Sequence, residues 1–241
     1  MSLDPRTVAR EIPGIFNEIF PQLTPGIVAH LNNSAITTPV DLIQQTELFQ
    51  SKLQRAMLFE LSCTLAERLI AGDTHINWTY CFSETIRKQC VYYDAKLPDE
   101  LTSLDKTLAE TVGRNLARLI NEMRQEYGHP IVIRPKIPGL EWIASGYGDF
   151  ALGRTLIEVK CTAKRFSSAD YRQVAIYWLL SYAGSVENRS IEWTDFALIN
   201  PRNGAKVAMT FDSFLSIISS GRTKVDILQL FLSLVGSRLK H

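Results

Sequence analysis

Gly146-Tyr147-Gly148-Asp149, followed nine residues beyond its acid by Glu158-Val159-Lys160, decides how this chain is read. The stretch implies two adjacent strands, the first carrying an acid and the second an acid and a lysine, with a turn around Gly153 between them. Alternation places Glu158 and Lys160 on one face of their strand, and Ile157, Val159 and Cys161 on the other. Two carboxylates that meet across neighbouring strands offer hard oxygen ligands suited to Mg²⁺ or Mn²⁺. A lysine beside them can orient a water or stabilise negative charge on a phosphate, which is the chemistry of metal-dependent phosphodiester cleavage. The alternative reading of the same three charges is a surface ion-pair cluster.

Working outward, the flanks read as helices that cover this sheet. Ser103 or Asp105 caps a helix running to about Tyr127, with an apolar stripe of Leu108, Val112, Leu116, Leu119, Ile120 and Met123, and Gly128-His129-Pro130 ends it. The β-branched run Ile131 to Ile137 reads as one strand, followed by the motif strands over roughly Trp142–Leu152 and Thr155–Thr162. A helix over about Ala169–Ala183 comes next, with Ser167 or Ser168 near its start. Phe196–Asn200 and Lys206–Thr210 form a hairpin around Pro201-Arg202-Asn203-Gly204, and amphipathic helices from Phe211 to Leu239 follow. The expected class is therefore α/β, a mixed central sheet flanked by helices.

The first third of the chain reads differently. Up to about Leu97 it is mostly helical, most clearly from Glu47 to Ile70, where Leu48, Leu53, Met57, Leu58, Leu61, Leu65 and Leu69 recur at helical intervals. Pro13, Pro21, Pro25 and Pro39 interrupt the part before that run. The expected organisation is a helical region over 1–100 that serves as a cap or partner surface, a core over 101–210, and helices over 211–241 packed on the core.

Composition narrows the function classes. The 241 residues are 46% hydrophobic and 21% charged, as in a folded globular chain. With 26 basic against 25 acidic residues the net charge is +1, so any surface for nucleic acid must be local. Cys63, Cys81, Cys90 and Cys161 contain no C-x-x-C pair and read as reduced, mostly buried thiols. The four histidines are scattered without metal-ligand spacing. No secretory signal opens the sequence, and the longest apolar run, Val174 to Ala183, is too short for a membrane span, so the expected location is cytoplasmic. There is no glycine-rich phosphate loop ending in Gly-Lys-Ser/Thr, so no nucleotide is expected.

Asp149, Glu158-Val159-Lys160 and then Gln173-x-x-x-Tyr177 on the next helix resemble the PD-(D/E)xK nuclease superfamily, and the Q-x-x-x-Y element resembles its RecB-like exonuclease branch. The resemblance covers about Asp105 to Thr210. E-x-K alone arises by chance about once in a chain of this length; the acid on the preceding strand and the Gln/Tyr pair at i, i+4 carry the specificity. The resemblance implies a restriction-endonuclease-like core in which Asp149, Glu158 and the Val159 backbone carbonyl hold one or two Mg²⁺ or Mn²⁺ ions. Lys160 steers the attacking water or contacts the scissile phosphate, and Gln173 and Tyr177 position the lysine or the nucleic-acid strand. Glu110, on the helix before the sheet, is a candidate additional ligand; its alternative is plain solvation on a helix surface. Gly148 stands where the superfamily's name has proline, and Gly113-Arg114-Asn115 lacks the histidine that often follows a glycine on the first helix. The cysteine placement does not match the iron–sulfur members, so no iron–sulfur cluster is expected.

Lys164, Arg165 and Arg172 flank the loop after the acid–lysine strand, and Arg134 and Lys136 lie on an earlier strand, so together they are candidates for phosphate contacts. Tyr147, Phe166 and Tyr171 are candidates for base stacking or for core packing. The leading expectation is a Mg²⁺-dependent DNase working as the cutting subunit of a defence or repair complex, with a helicase or ATPase partner supplying strand opening or targeting. The alternatives are a sequence-specific restriction-type endonuclease acting as a homodimer, and a non-catalytic nuclease-like binding or scaffold subunit.

Overall fold

Prolines begin the first helices. In the computed structural model, which describes residues 2–91, 94–187 and 190–237, helices α1 (Pro5–Glu11), α2 (Pro13–Ile19) and α3 (Pro25–Asn33) each carry proline in their first turn. Proline at that position sacrifices no helical hydrogen bond and presets φ. Asp4 and Thr24 cap α1 and α3 by accepting hydrogen bonds from Arg6 N and Ile27 N. A two-residue strand β1 (Ile36–Thr37) follows, which the periodicity did not signal.

The expected continuous helix over Glu47–Ile70 is two helices, α4 (Gln45–Gln50) and α5 (Arg55–Ile70). Residues Ser51 to Gln54 separate them, and the Ser51 hydroxyl donates to Asp105 Oδ1 at 2.7 Å, a tertiary bond that local spacing does not reveal. α6 (Trp78–Gln89) and the long α7 (Ser103–Tyr127) complete a helical layer. Thr102 and Asp105 form a capping box at the start of α7, and Gly128 ends it in the left-handed region at φ 70°. α5 and α7 approach closely: a Cβ on Gly113 would lie 2.9 Å from the Ser62 carbonyl oxygen.

The strands are shorter than the sequence suggested. β2 (Ile131–Ile133) and β3 (Lys136–Ile137) replace the single strand expected over Ile131–Ile137. Arg134, at φ 53°, and Pro135 break it, and the two halves join different sheets. The next expected strand is likewise divided into β4 (Gly146–Tyr147), which pairs with β3, and β5 (Phe150–Leu152), which pairs with β2. β6 (Thr155–Val159) follows after a turn in which Gly153 has φ 58°, and it ends before the expected limit of Thr162. Then come α8 (Ser168–Val186), β7 (Asp195–Asn200), β8 (Ala205–Thr210), α9 (Phe211–Ile218) and α10 (Lys224–Ser237). The expected helical limit of Leu239 lies outside the described residues.

The main sheet is six-stranded and mixed, in the order β1-β8-β7-β6-β5-β2, with β6 and β7 parallel and the other pairs antiparallel. Helices flank both faces, as the α/β expectation required. On one face Leu156, Phe196, Leu198 and Val207 pack in a core shared with α1–α3, α8, α9 and α10. On the other, Phe150, Ile157, Val159 and Ala197 pack against α7 and Cys63 and Ala66 of α5. A third cluster joins α4, α5, α6 and the start of α7. Among the described residues, no helix is long and apolar enough to cross a membrane.

Candidate functional site

The antiparallel register that pairs Phe150 with Ile157 brings Asp149 beside Glu158, just where β5 begins and β6 ends. Asp149 N donates to Glu158 Oε1 at 3.2 Å, and Val159 N donates to Asp149 Oδ2 at 2.8 Å, so each acid braces the backbone of the other's strand. Gly148 makes this approach possible. A Cβ there would lie 2.9 Å from Leu156 Cδ1 and 3.3 Å from Glu158 Oε1.

Glu158 is fully buried. Burial, and then the neighbouring Asp149 carboxylate, push its pKa up to about 8, against the opposing pull of Lys160 and Arg6. Burial and the adjacent acid thus make ionisation of Glu158 less favourable than for an ordinary glutamate.

The capping box of Ser167 and Asp170 starts α8 in register to aim Gln173 and Tyr177 at the acids. Gln173 Oε1 accepts from Lys160 Nζ at 2.8 Å, while Gln173 Nε2 donates to Glu158 Oε2 at 2.6 Å and to the Tyr177 hydroxyl at 3.1 Å. The ammonium on one side and the carboxylate on the other fix the orientation of the amide. Lys160 Nζ also stands 3.7 Å from Glu158 Oε2 and 3.6 Å from Asp170 Oδ1. The five residues Asp149, Glu158, Lys160, Gln173 and Tyr177 thus meet in one hydrogen-bonded group.

Its sixth member comes from α1. Arg6 Nη2 donates to Asp149 Oδ1 at 2.9 Å and to the Tyr147 carbonyl at 3.2 Å, and Arg6 Nε donates to the Tyr177 hydroxyl at 2.9 Å. Arg6 stands between two concavities. The first is a groove of about 440 Å³ lined by six basic residues (Arg6, Arg10, Arg55, Lys160, Lys164 and Arg165) against three acids, Asp149, Glu158 and Asp170. The charged lining of that groove is predominantly basic although the whole chain is nearly neutral. The second, of about 300 Å³, is lined by Asp149 together with Glu60, Glu67, Lys88 and Arg134. There Lys88 Nζ lies 3.0 Å from both Glu60 and Glu67, and Arg134 pairs with the same two acids at 2.8 and 3.1 Å.

The remaining expected residues divide. Lys164 and Arg165 line the basic groove, with Arg165 Nη1 donating to Asn33 Oδ1 at 3.2 Å. Arg172 turns away from it: its Nε donates to the Ala9 carbonyl at 2.8 Å and its guanidinium lies over the Phe16 ring, so it anchors α1 to α8. Arg134 belongs to the charge cluster of the second concavity, not to a strand. Lys136 is exposed on β3. Glu110 pairs with Arg114 at 2.8 Å on the outer surface of α7 and lines neither concavity. Phe166 and Tyr171 are buried in the core, while Tyr147 is exposed.

Sequence reading missed Arg6, Arg10 and Arg55 in the first concavity, and Glu60, Glu67 and Lys88 in the second. Nothing local marks Arg6, which lies 143 residues from Asp149. Glu60 and Glu67 share one helix face by their i, i+7 spacing, which was legible. The cysteines are free thiols, Cys63 and Cys81 buried. Burial pushes the Cys161 thiol up to about 12, which disfavours its thiolate.

Two acids and a backbone carbonyl are a hard-oxygen donor set, and by chemistry they fit Mg²⁺ or Mn²⁺. Among the described residues no group of three or more His, Cys, Asp or Glu side chains converges as a metal site. No family model matches the chain, and neither a curated protein nor a solved structure matches it.

Proposed function

We propose that this chain is a Mg²⁺- or Mn²⁺-dependent nuclease with a restriction-endonuclease-like core, in the RecB-like branch of the PD-(D/E)xK superfamily, and that it hydrolyses phosphodiester bonds of DNA. The observation that carries the reading is the convergence of Asp149, Glu158, Lys160, Gln173 and Tyr177 in one hydrogen-bonded group at the head of a groove whose charged lining is predominantly basic. A salt-bridge cluster on an ordinary surface has no reason to include a fully buried glutamate or an amide that bridges it to a lysine.

In this reading Asp149, Glu158 and the Val159 carbonyl hold the ion, whose chemistry when bound is to acidify a water and offset phosphate charge. Gln173 holds Lys160 at a fixed distance from Glu158, so the ammonium is presented to the groove without side-chain reorganisation. Arg10, Arg55, Lys164 and Arg165 supply cations along which a phosphate backbone is positioned without sequence preference. Strand opening and targeting fall to another protein, as in a defence or repair assembly.

A second reading, a nuclease-like DNA-binding or scaffold subunit without catalysis, is favoured by one feature: Arg6 occupies Asp149. One experiment decides between them. Purified protein is incubated with supercoiled, linear duplex and single-stranded DNA, and with RNA, in Mg²⁺, Mn²⁺ or EDTA, beside Asp149→Ala and Lys160→Ala. Metal-dependent cutting lost in both variants supports the nuclease. DNA binding without cutting under every condition supports the scaffold, and cutting that survives both substitutions overturns the site.

A further inference from the structure

We infer that Arg6 is a built-in counter-ion that holds Asp149 in place of a divalent metal, so that metal binding and Arg6 docking exclude one another. The inference rests on the metal-site reading of Asp149 and Glu158. Arg6 Nη2 lies 2.9 Å from Asp149 Oδ1, the carboxylate oxygen not engaged by the Val159 amide. A cation brought onto that oxygen competes with the guanidinium for the same lone pairs and is repelled by its charge. The remaining bonds of Arg6 go to the Tyr177 hydroxyl, which is buried, and to the Tyr147 carbonyl beside Asp149. Three of its donor bonds are therefore made at the acid site instead of to phosphate in the groove.

The geometry allows release without unfolding. α1 is held by the residue that leads into it, since Leu3 N donates to the Trp142 carbonyl at 3.0 Å and Ala144 N donates to the Leu3 carbonyl at 2.8 Å, and by buried Val8 and Ala9. The Arg6 side chain is 35% exposed and lines the groove, so it can swing toward solvent while the helix stays docked. Once released it faces the groove with a free guanidinium. Arrival of the metal thus exposes one more cation to the substrate's phosphates, which couples the two binding events.

The test measures metal affinity, not cutting. Mn²⁺ is titrated calorimetrically into the unaltered protein, Arg6→Gln and Arg10→Gln. Arg10 is a control because it lines the same groove and loses the same charge. The expected result is Mn²⁺ affinity raised about tenfold or more in Arg6→Gln, as for removal of a charge-assisted pair, and little changed in Arg10→Gln. Equal affinity in Arg6→Gln and the unaltered protein, or an equal gain in both variants, overturns the exclusion while leaving the metal site standing. Absence of Mn²⁺ binding in all three overturns the metal site and the exclusion with it. Independently of any variant, the Arg6 Nε–H resonance of the unaltered protein should shift with the Mg²⁺ saturation curve as its bond to Tyr177 breaks. A resonance unmoved at saturating Mg²⁺ also overturns the exclusion.

Discussion

Gln173 takes the Lys160 ammonium on its amide oxygen at 2.8 Å and gives its amide hydrogens to Glu158 and Tyr177. One neutral side chain, itself buried, therefore sets the separation between the lysine and the acid. Truncating it leaves a buried carboxylate oxygen and an ammonium without their nearest partner. Gln173→Ala should lower metal-dependent DNA cleavage by about 10- to 100-fold, the usual effect of removing a group that orients a metal ligand. It should also destabilise the fold by about 1–3 kcal/mol. Single-turnover cleavage rates and urea denaturation curves check the two effects separately. Wild-type rates in Gln173→Ala would show that Lys160 needs no such positioning.

The raised pKa of Glu158, about 8 against an ordinary 4.5, has a definite sign in stability. Between those values the folded protein keeps a proton that the unfolded chain has released. Stability therefore falls as pH rises through this window and levels off above it. Glu158→Gln cannot titrate. In EDTA, its melting temperature relative to the unaltered protein should move upward by at least about 3 °C between pH 5 and pH 8. Parallel curves for the two proteins across that range would mean that Glu158 is already ionised in the metal-free state.

How much of this was open to sequence reading depends on the range of the interaction. The α7 stripe, the start of α8 near Ser167 and the β7–β8 hairpin were legible because their cues lie within a few residues of each other. Asp149, Glu158, Lys160, Gln173 and Tyr177 were legible because a hairpin and the next helix bring them together. Arg6 and Arg55 were not, since they enter the groove only through tertiary docking of helices far away in the chain. Pro135 was a readable warning that the strand over Ile131–Ile137 could not continue. The break between α4 and α5 carried no such warning, as it contains neither proline nor glycine.

Lys88 joins α6 to α5: its ammonium donates to Thr64 Oγ1 and Glu67 and pairs with Glu60, each at 3.0 Å, and it is only 7% exposed. Removing its charge leaves two partly buried acids facing each other with Arg134 alone to balance them. Lys88→Met should cost about 2–4 kcal/mol, toward the value for an unpaired buried charge. Arg134→Ala should cost less, about 1 kcal/mol, because Arg134 is 40% exposed and water screens its pairs. Chemical denaturation of both variants checks the order, and a larger loss in Arg134→Ala would contradict it.

The basic residues separate into groove cations and a structural one, and salt dependence tells them apart. Lys164 and Arg165 line the groove, so Lys164→Ala and Arg165→Ala should each weaken DNA binding and reduce the slope of log affinity against log salt by about 1. Arg172 lies on α8 but is committed to the Ala9 carbonyl and the Phe16 ring. Arg172→Ala should leave the salt slope unchanged and lower the melting temperature instead, by loosening α1. Because α1 also carries Arg6, that variant should release Asp149 in part and raise Mn²⁺ affinity without touching any group at the acid pair. Fluorescence anisotropy over a salt series, thermal melts and Mn²⁺ calorimetry read the three effects. A reduced salt slope in Arg172→Ala would return it to the phosphate-binding set.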